Sequence, residues 1–176
     1  MNNNSQMGYQ LKMGTTKDSS LLSKFMYLTY QELFPHQTDF SHLTETVNKY
    51  FSTLTPVWFV DRKEHQESVD LTVACLWMGN AIDQVTGERY AHIFLIFVLP
   101  EYRKQGIGTN LISVAENWAK ARGDRQIGLQ VFTKNKPALN LYHHLGFQTQ
   151  SISMIKPLFT IPNPPAQTFE KFPKIR

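Results

Sequence analysis

The sequence predicts a single α/β domain, and three observations carry that reading. An apolar run over 93–99 enters a short loop holding Gly106 and Gly108, and an amphipathic run over 107–121 leaves it, a strand–loop–helix order. Further strand-like and helix-like runs lie on both sides of it, with no linker or internal repeat between them. The length of 176 residues and a hydrophobic content of 41% suffice for one packed core. Residues 9–158 are expected to form the domain, 1–8 a loose polar tail, and 159–176 a proline-rich extension lying on the domain or on a partner subunit.

Tyr9 to Met13 alternates apolar and polar and reads as a first strand. A helix follows from 17 or 18 to 33, with Leu21, Leu22, Phe25, Leu28 and Leu33 facing inward and Pro35 stopping it. A second helix is expected over 42–51, capped by Ser41, with Leu43, Val47, Tyr50 and Phe51 as its apolar stripe. Strands follow over 57–61, 69–78 and 90–99. The last is apolar on both faces after His92, which suits the middle of a sheet. Residues 62–68 read as a charged turn and 79–87 as a turn rich in Asn, Asp and Gly. After the long helix, stopped by Gly123, come a strand over 126–132 and a helix capped by Asn135 with Pro137 in its first turn. Gly146 stops that helix, and a last strand is expected over 147–156.

The chemistry concentrates at Arg103-Lys104-Gln105-Gly106-Ile107-Gly108-Thr109. A helix start carries N–H groups without intrahelical partners and the positive end of a macrodipole. Glycines there let an anion approach the backbone, and Arg103 and Lys104 add positive charge, so the site suits a phosphate or pyrophosphate. The phosphate-loop pattern of nucleotide hydrolases needs Gly-Lys-Ser/Thr, which is missing. The dinucleotide pattern needs a third glycine where Leu111 stands.

The spacing Arg-x-x-Gly-x-Gly at 103–108, after an apolar strand and Pro100, resembles the acetyl-CoA loop of the GCN5-related N-acetyltransferase (GNAT) superfamily. Asn135-x-x-Ala138-x-x-Leu141-Tyr142-x-x-x-Gly146-Phe147 resembles the second motif of that superfamily at the right separation. The resemblance covers roughly 90–156 in order and the first half in outline. It implies a mixed, mostly antiparallel sheet flanked by helices, whose fourth and fifth strands splay to receive a pantetheine arm. It implies that the backbone at Phe97 and Val98 bonds the cofactor amides, that Arg103 to Thr109 holds the pyrophosphate, and that acetyl passes directly from acetyl-CoA to a primary amine. Tyr142 falls where the superfamily often protonates the departing thiolate. A phenol near ~10 and a thiol near ~8.5 are close enough for that transfer, whereas its ring could equally serve packing alone. Asn135 is either a helix cap only or also a cofactor contact. His92, in Ala91-His92-Ile93, stands where the histone-acetylating branch has a glutamate base. Histidine can take a proton at neutral pH, or it can be a structural residue bonded to backbone. Trp77, Asn80, Asp83, Gln84 and Glu88 lie near the ends of the third and fourth strands and are candidates to touch the acceptor, while turn formation explains Asn80 and Asp83 equally well. A non-catalytic acyl-CoA-binding domain of the same fold is the alternative reading.

The net charge of +4 comes without a basic run, so neither nucleic acid nor a membrane surface is an expected partner. The single cysteine, Cys75, excludes an intrachain disulfide and sits in an apolar run that suits inert packing. His143 and His144 are adjacent on a helix and point apart, so no metal is expected. A polar start and no bilayer-length apolar run suggest a cytoplasmic protein. An amine-bearing substrate is the expected partner. A homodimer would form if the segment from 160 to 172 covered a sheet edge on a second copy.

Overall fold

The computed structural model describes residues 8–63 and 71–158. Its elements are β1 (Tyr9–Met13), α1 (Ser19–Leu33), α2 (Ser41–Tyr50), β2 (Val57–Arg62), β3 (Leu71–Ile82), β4 (Arg89–Val98), α3 (Ile107–Ala121), β5 (Ile127–Leu129) and α4 (Lys136–His144). The strands form one sheet in the order β1-β2-β3-β4-β5. The first four run antiparallel, and β5 lies parallel to β4.

Each face of the sheet buries its own core. On one side Leu22, Phe25, Leu43 and Val47 of α1 and α2 pack on Phe59, Cys75, Trp77 and Phe97. On the other, Leu111, Ile112 and Ala115 of α3, with Tyr142 of α4, pack on Leu76, Met78 and Ile93. Ile93 and Leu95 belong to opposite faces although they are two residues apart. The cause is a bulge: Met78 pairs Ile93 and Trp77 pairs Leu95, which leaves Phe94 as an extra residue in β4.

β5 pairs β4 only from Ala91–Ile127 to Ile93–Leu129. Beyond it the strands part, because the chain after Leu129 is drawn toward the end of α1. There Phe132 packs edge-on against Phe34 at 5.1 Å and Tyr30 at 6.3 Å, and Lys134 Nζ donates to the Leu33 carbonyl. The fork expected from the resemblance is therefore present.

Several expected boundaries change. β3 runs on to Ile82, so Gly79 lies inside a strand and the turn begins at Asp83. β5 is shorter than 126–132. Ser41 is the first residue of α2 rather than its cap. The Asp39 carboxylate accepts from the Ser41 N–H instead, which lowers the pKa of Asp39. Tyr50 stays half exposed, under Lys49, instead of joining the core. The expected strand over 147–156 is not formed. Nothing described packs on 148–158, where Ile152, Met154, Ile155 and Leu158 stand exposed, and Pro157 withholds a ladder donor. The tail 1–7, most of the charged turn, the start of the strand expected at 69 and the extension 159–176 lie outside the described residues. So does the edge-covering role given to that extension.

Candidate active site

The loop after β4 is shaped to leave backbone donors open. A single 3-10 turn, Pro100–Tyr102, carries the chain out of the sheet. Lys104 at φ 60° and Gly106 at φ 80° then turn it through the left-handed region into α3. Ile107, 5% exposed, anchors the helix start in the core. No side chain caps this end, and the first helical bond runs from Asn110 N–H to the Gly106 carbonyl. A Cβ on Gly106 would meet open space, so the loop face is unobstructed. Gly108 has another role: its Cβ would lie 3.3 Å from Leu141 Cδ2, so its small size serves the packing of α3 on α4.

The side chains of the loop divide. Arg103 turns back to the sheet: Nε donates to the Val98 carbonyl at 2.9 Å, and its terminal nitrogens reach both Glu32 oxygens at 2.8 and 2.6 Å. The guanidinium also lies over the Phe97 ring, at 5.3 Å. Arg103 thus ties β4 to α1 across a cleft of about 450 Å³ lined by Leu28, Glu32, Phe97 and Leu99. Gln105 accepts from Tyr9 Oη at 2.7 Å, which ties the loop to β1. Lys104 is exposed, and no ion pair or hydrogen bond engages its side chain among the described residues. The amides at the start of α3 and the Lys104 side chain are therefore unengaged among the described residues. The main-chain edge of β4 that includes Phe97 and Val98 has no β5 partner, although Arg103 takes the Val98 carbonyl.

Tyr142 is 8% exposed, beside Phe147 at 5.6 Å, and burial pushes its phenol up to about 12. It is a weaker acid than the free side chain considered from sequence. Asn135 Oδ1 accepts from Ala138 N–H at 3.3 Å, so the cap is formed.

His92 lies on β4 on the α1–α2 side, just before the bulge. Its imidazole is half-buried, with Nδ1 out of solvent and without a partner among the described residues. Burial alone lowers its pKa below the ordinary 6.5, so the ring is neutral at pH 7. Of the other sites considered for an acceptor, Trp77 is buried and donates from Nε1 to the Thr55 carbonyl. Asn80 accepts from Arg122, and Asp83 accepts turn amides and Gln126. Cys75 is fully buried and its thiol pKa is raised, which suits packing. No cluster of His, Cys, Asp or Glu able to hold a metal occurs among the described residues.

Sequence reasoning missed Glu32 and Phe94. Glu32 gives no local signal, being one charge on a helix. Phe94 is hidden inside a continuous apolar run, but the glycines that receive its ring and its neighbour's, Gly79 and Gly128, are visible as strand glycines.

A splayed sheet with an uncapped helix start at the fork defines an acyl-transferase type of architecture. Residues 24–147 match the acetyltransferase (GNAT) family, and the chain belongs to that family. An uncharacterised N-acetyltransferase of Methanocaldococcus jannaschii is 40% identical over 78 residues, 44% of this chain and 33% of that protein. A thialysine N-epsilon-acetyltransferase of Mus musculus is 47% identical over 53 residues, 30% of this chain and 31% of that protein. The chain thus spans about a third of the length of these two relatives. An N-alpha-acetyltransferase of Sulfurisphaera tokodaii is 26% identical over 80% of each chain. Among solved structures, an aminoglycoside N-acetyltransferase in complex with CoA superposes with a TM-score of 0.62 at 15% identity, covering 85% of this chain and 94% of that one. At that identity the likeness concerns the fold. No described helix is long and apolar enough to cross a membrane.

Proposed function

We propose that the chain is an acetyl-CoA-dependent N-acetyltransferase that passes acetyl directly to a primary amine. The observation that carries this reading is the open, uncapped start of α3 beside the fork of β4 and β5. The amides of 106–109 and Lys104 bind the pyrophosphate, and the unpaired part of β4 near Phe97 and Val98 holds the pantetheine amides. Arg103 keeps that part of β4 fixed to α1 through Glu32 and reaches the anion only by leaving that pair. Asn135 holds the start of α4 and so sets the position of Tyr142.

When bound, acetyl-CoA supplies an activated acyl carbon; the nitrogen–carbon bond forms as the carbon–sulfur bond breaks. His92, neutral at pH 7, would take the proton that the acceptor ammonium loses before its nitrogen can attack, and the second proton, released from nitrogen as the amide forms, goes to the departing thiolate. Tyr142 stays protonated across neutral pH and donates a hydrogen bond to the sulfur as negative charge develops there. With a phenol at about 12 against a thiol near ~8.5, this donation matters more than complete proton transfer.

The test is release of free thiol from acetyl-CoA over a panel of amines. Wild type should turn over at least one amine, and Tyr142→Phe should lower kcat by about 10²-fold with little change in CoA affinity. CoA binding without thiol release for any amine would replace this reading with that of a non-catalytic acyl-CoA-binding domain.

A further inference from the structure

His92 has glycine as its cross-strand partner on both sides, Gly79 in β3 and Gly128 in β5. No side chain from either neighbouring strand therefore rises beside the imidazole. The rings on either side of it in β4 fill that space. Phe94 lies over Gly79, where a Cβ would be 2.1 Å from its ring, and Tyr90 lies over Gly128, where a Cβ would be 2.7 Å from its ring. The ring centroids stand 5.5 Å from His92 to Phe94 and 6.1 Å from His92 to Tyr90. Trp77 extends the row beneath Phe94 at 5.1 Å, and Phe51 at the end of α2 closes it at 6.3 Å. Phe94 is the bulge residue and remains 39% exposed, a large apolar ring open on the α1–α2 side of the sheet.

We infer that Tyr90, His92 and Phe94 form an aromatic trough that selects an acceptor amine carried on a flat, apolar body. This rests on the reading of the site as an amine acetyltransferase. An ammonium is attracted to ring faces, and a planar apolar group gains area and edge-to-face contacts against them. β4 has no carboxylate along its length. The acids flanking the base of the strand are committed: Asp83 to turn amides and Gln126, Glu88 to Arg125, and Asp124 to Arg89 and Arg122. The trough therefore favours a monocationic aromatic amine over a polycation, whose added charges would find no partners on β4. His92 Nδ1 is buried and left without a partner among the described residues.

The test uses the full chain saturated with CoA, titrated calorimetrically with phenethylamine, ethylamine and spermidine, alongside thiol release with the same amines. Phenethylamine should bind at least about 10-fold more tightly than ethylamine or spermidine. Phe94→Ala should erase most of that preference. Phe94→Leu, which keeps apolar bulk and removes the ring face, should reduce it by several-fold and guards against misfolding of the alanine variant. Spermidine binding more tightly than phenethylamine, no phenethylamine binding, or an unchanged preference in both variants overturns the inference. Phenethylamine binding that depends on Phe94 but gives no thiol release leaves the trough standing and overturns the enzymatic reading alone.

Discussion

Lys104 shows how one residue can carry strain and charge together. At φ 60° it occupies a conformation that suits glycine, at a cost of about 1 kcal/mol for a lysine. Burial sets the direction in which His92 responds to pH. Its pKa is lowered because the charged ring is desolvated, so the base form persists to a pH below 6.5 and is lost under more acid conditions. kcat/KM should therefore be flat near pH 7 and fall as pH drops below 6.5, and His92→Gln should lower the plateau by about 10²-fold and remove the acid limb. A limb of the same position in the variant would take His92 out of the proton path. The same shift means the unfolded chain binds a proton more readily just below pH 6.5, so His92 also makes the fold less stable as pH falls through that window.

At the scale of elements, β4 holds most of what the sequence concealed. Its apolar run from Ile93 to Leu99 reads as an uninterrupted central strand, and nothing local marks Phe94 as an insertion. The bulge arises from pairing with β3, a non-local fact. Gly79 is legible as a glycine but reads as part of a turn, because Asn80 and Asp83 follow it and their turn chemistry masks the length of the strand. Gly79→Ala would bring its Cβ within 2.1 Å of the Phe94 ring. The clash falls on the far end of a ring that is 39% exposed and can swing outward, so the variant should lose no more than about 1 kcal/mol of stability in urea unfolding while weakening acceptor binding. Acceptor binding unchanged in that variant would mean that the position of the ring over the glycine does not matter to the acceptor. α3 and α4 were easy to read, since the Gly106 turn, the Asn135 cap, Pro137 and the Gly123 and Gly146 stops are local signals that packing did not override.

For the molecule as a whole, the order of strands and helices was legible from hydrophobic periodicity, and the fork was implied only by the family resemblance. The physical origin of the fork lies in contacts far apart in sequence: Phe132 and Lys134 dock on Phe34 and Leu33 and pull the chain off β4. The strand expected over 147–156 failed for the opposite reason. Its alternation is present, but β5 offers three residues of edge and nothing described buries Ile152 or Met154. Across the whole chain, α1 meets the loop of 103–108 through Glu32 and Arg103, and β1 meets it through Tyr9 and Gln105, so a helix and an edge strand both hold that loop.

Calorimetric titration of CoA into wild type, Lys104→Glu and Lys104→Gly tests the pyrophosphate site proposed at the start of α3. Wild type should bind CoA. Reversing the exposed charge of Lys104 should raise Kd at least about 10-fold, more at low salt, without loss of folded protein. Lys104→Gly should change Kd by no more than about threefold, because the amides remain, and should raise the melting temperature by roughly 2–4 °C as strain is released. Absence of CoA binding in wild type, or wild-type affinity in Lys104→Glu, would contradict a pyrophosphate site at the start of α3.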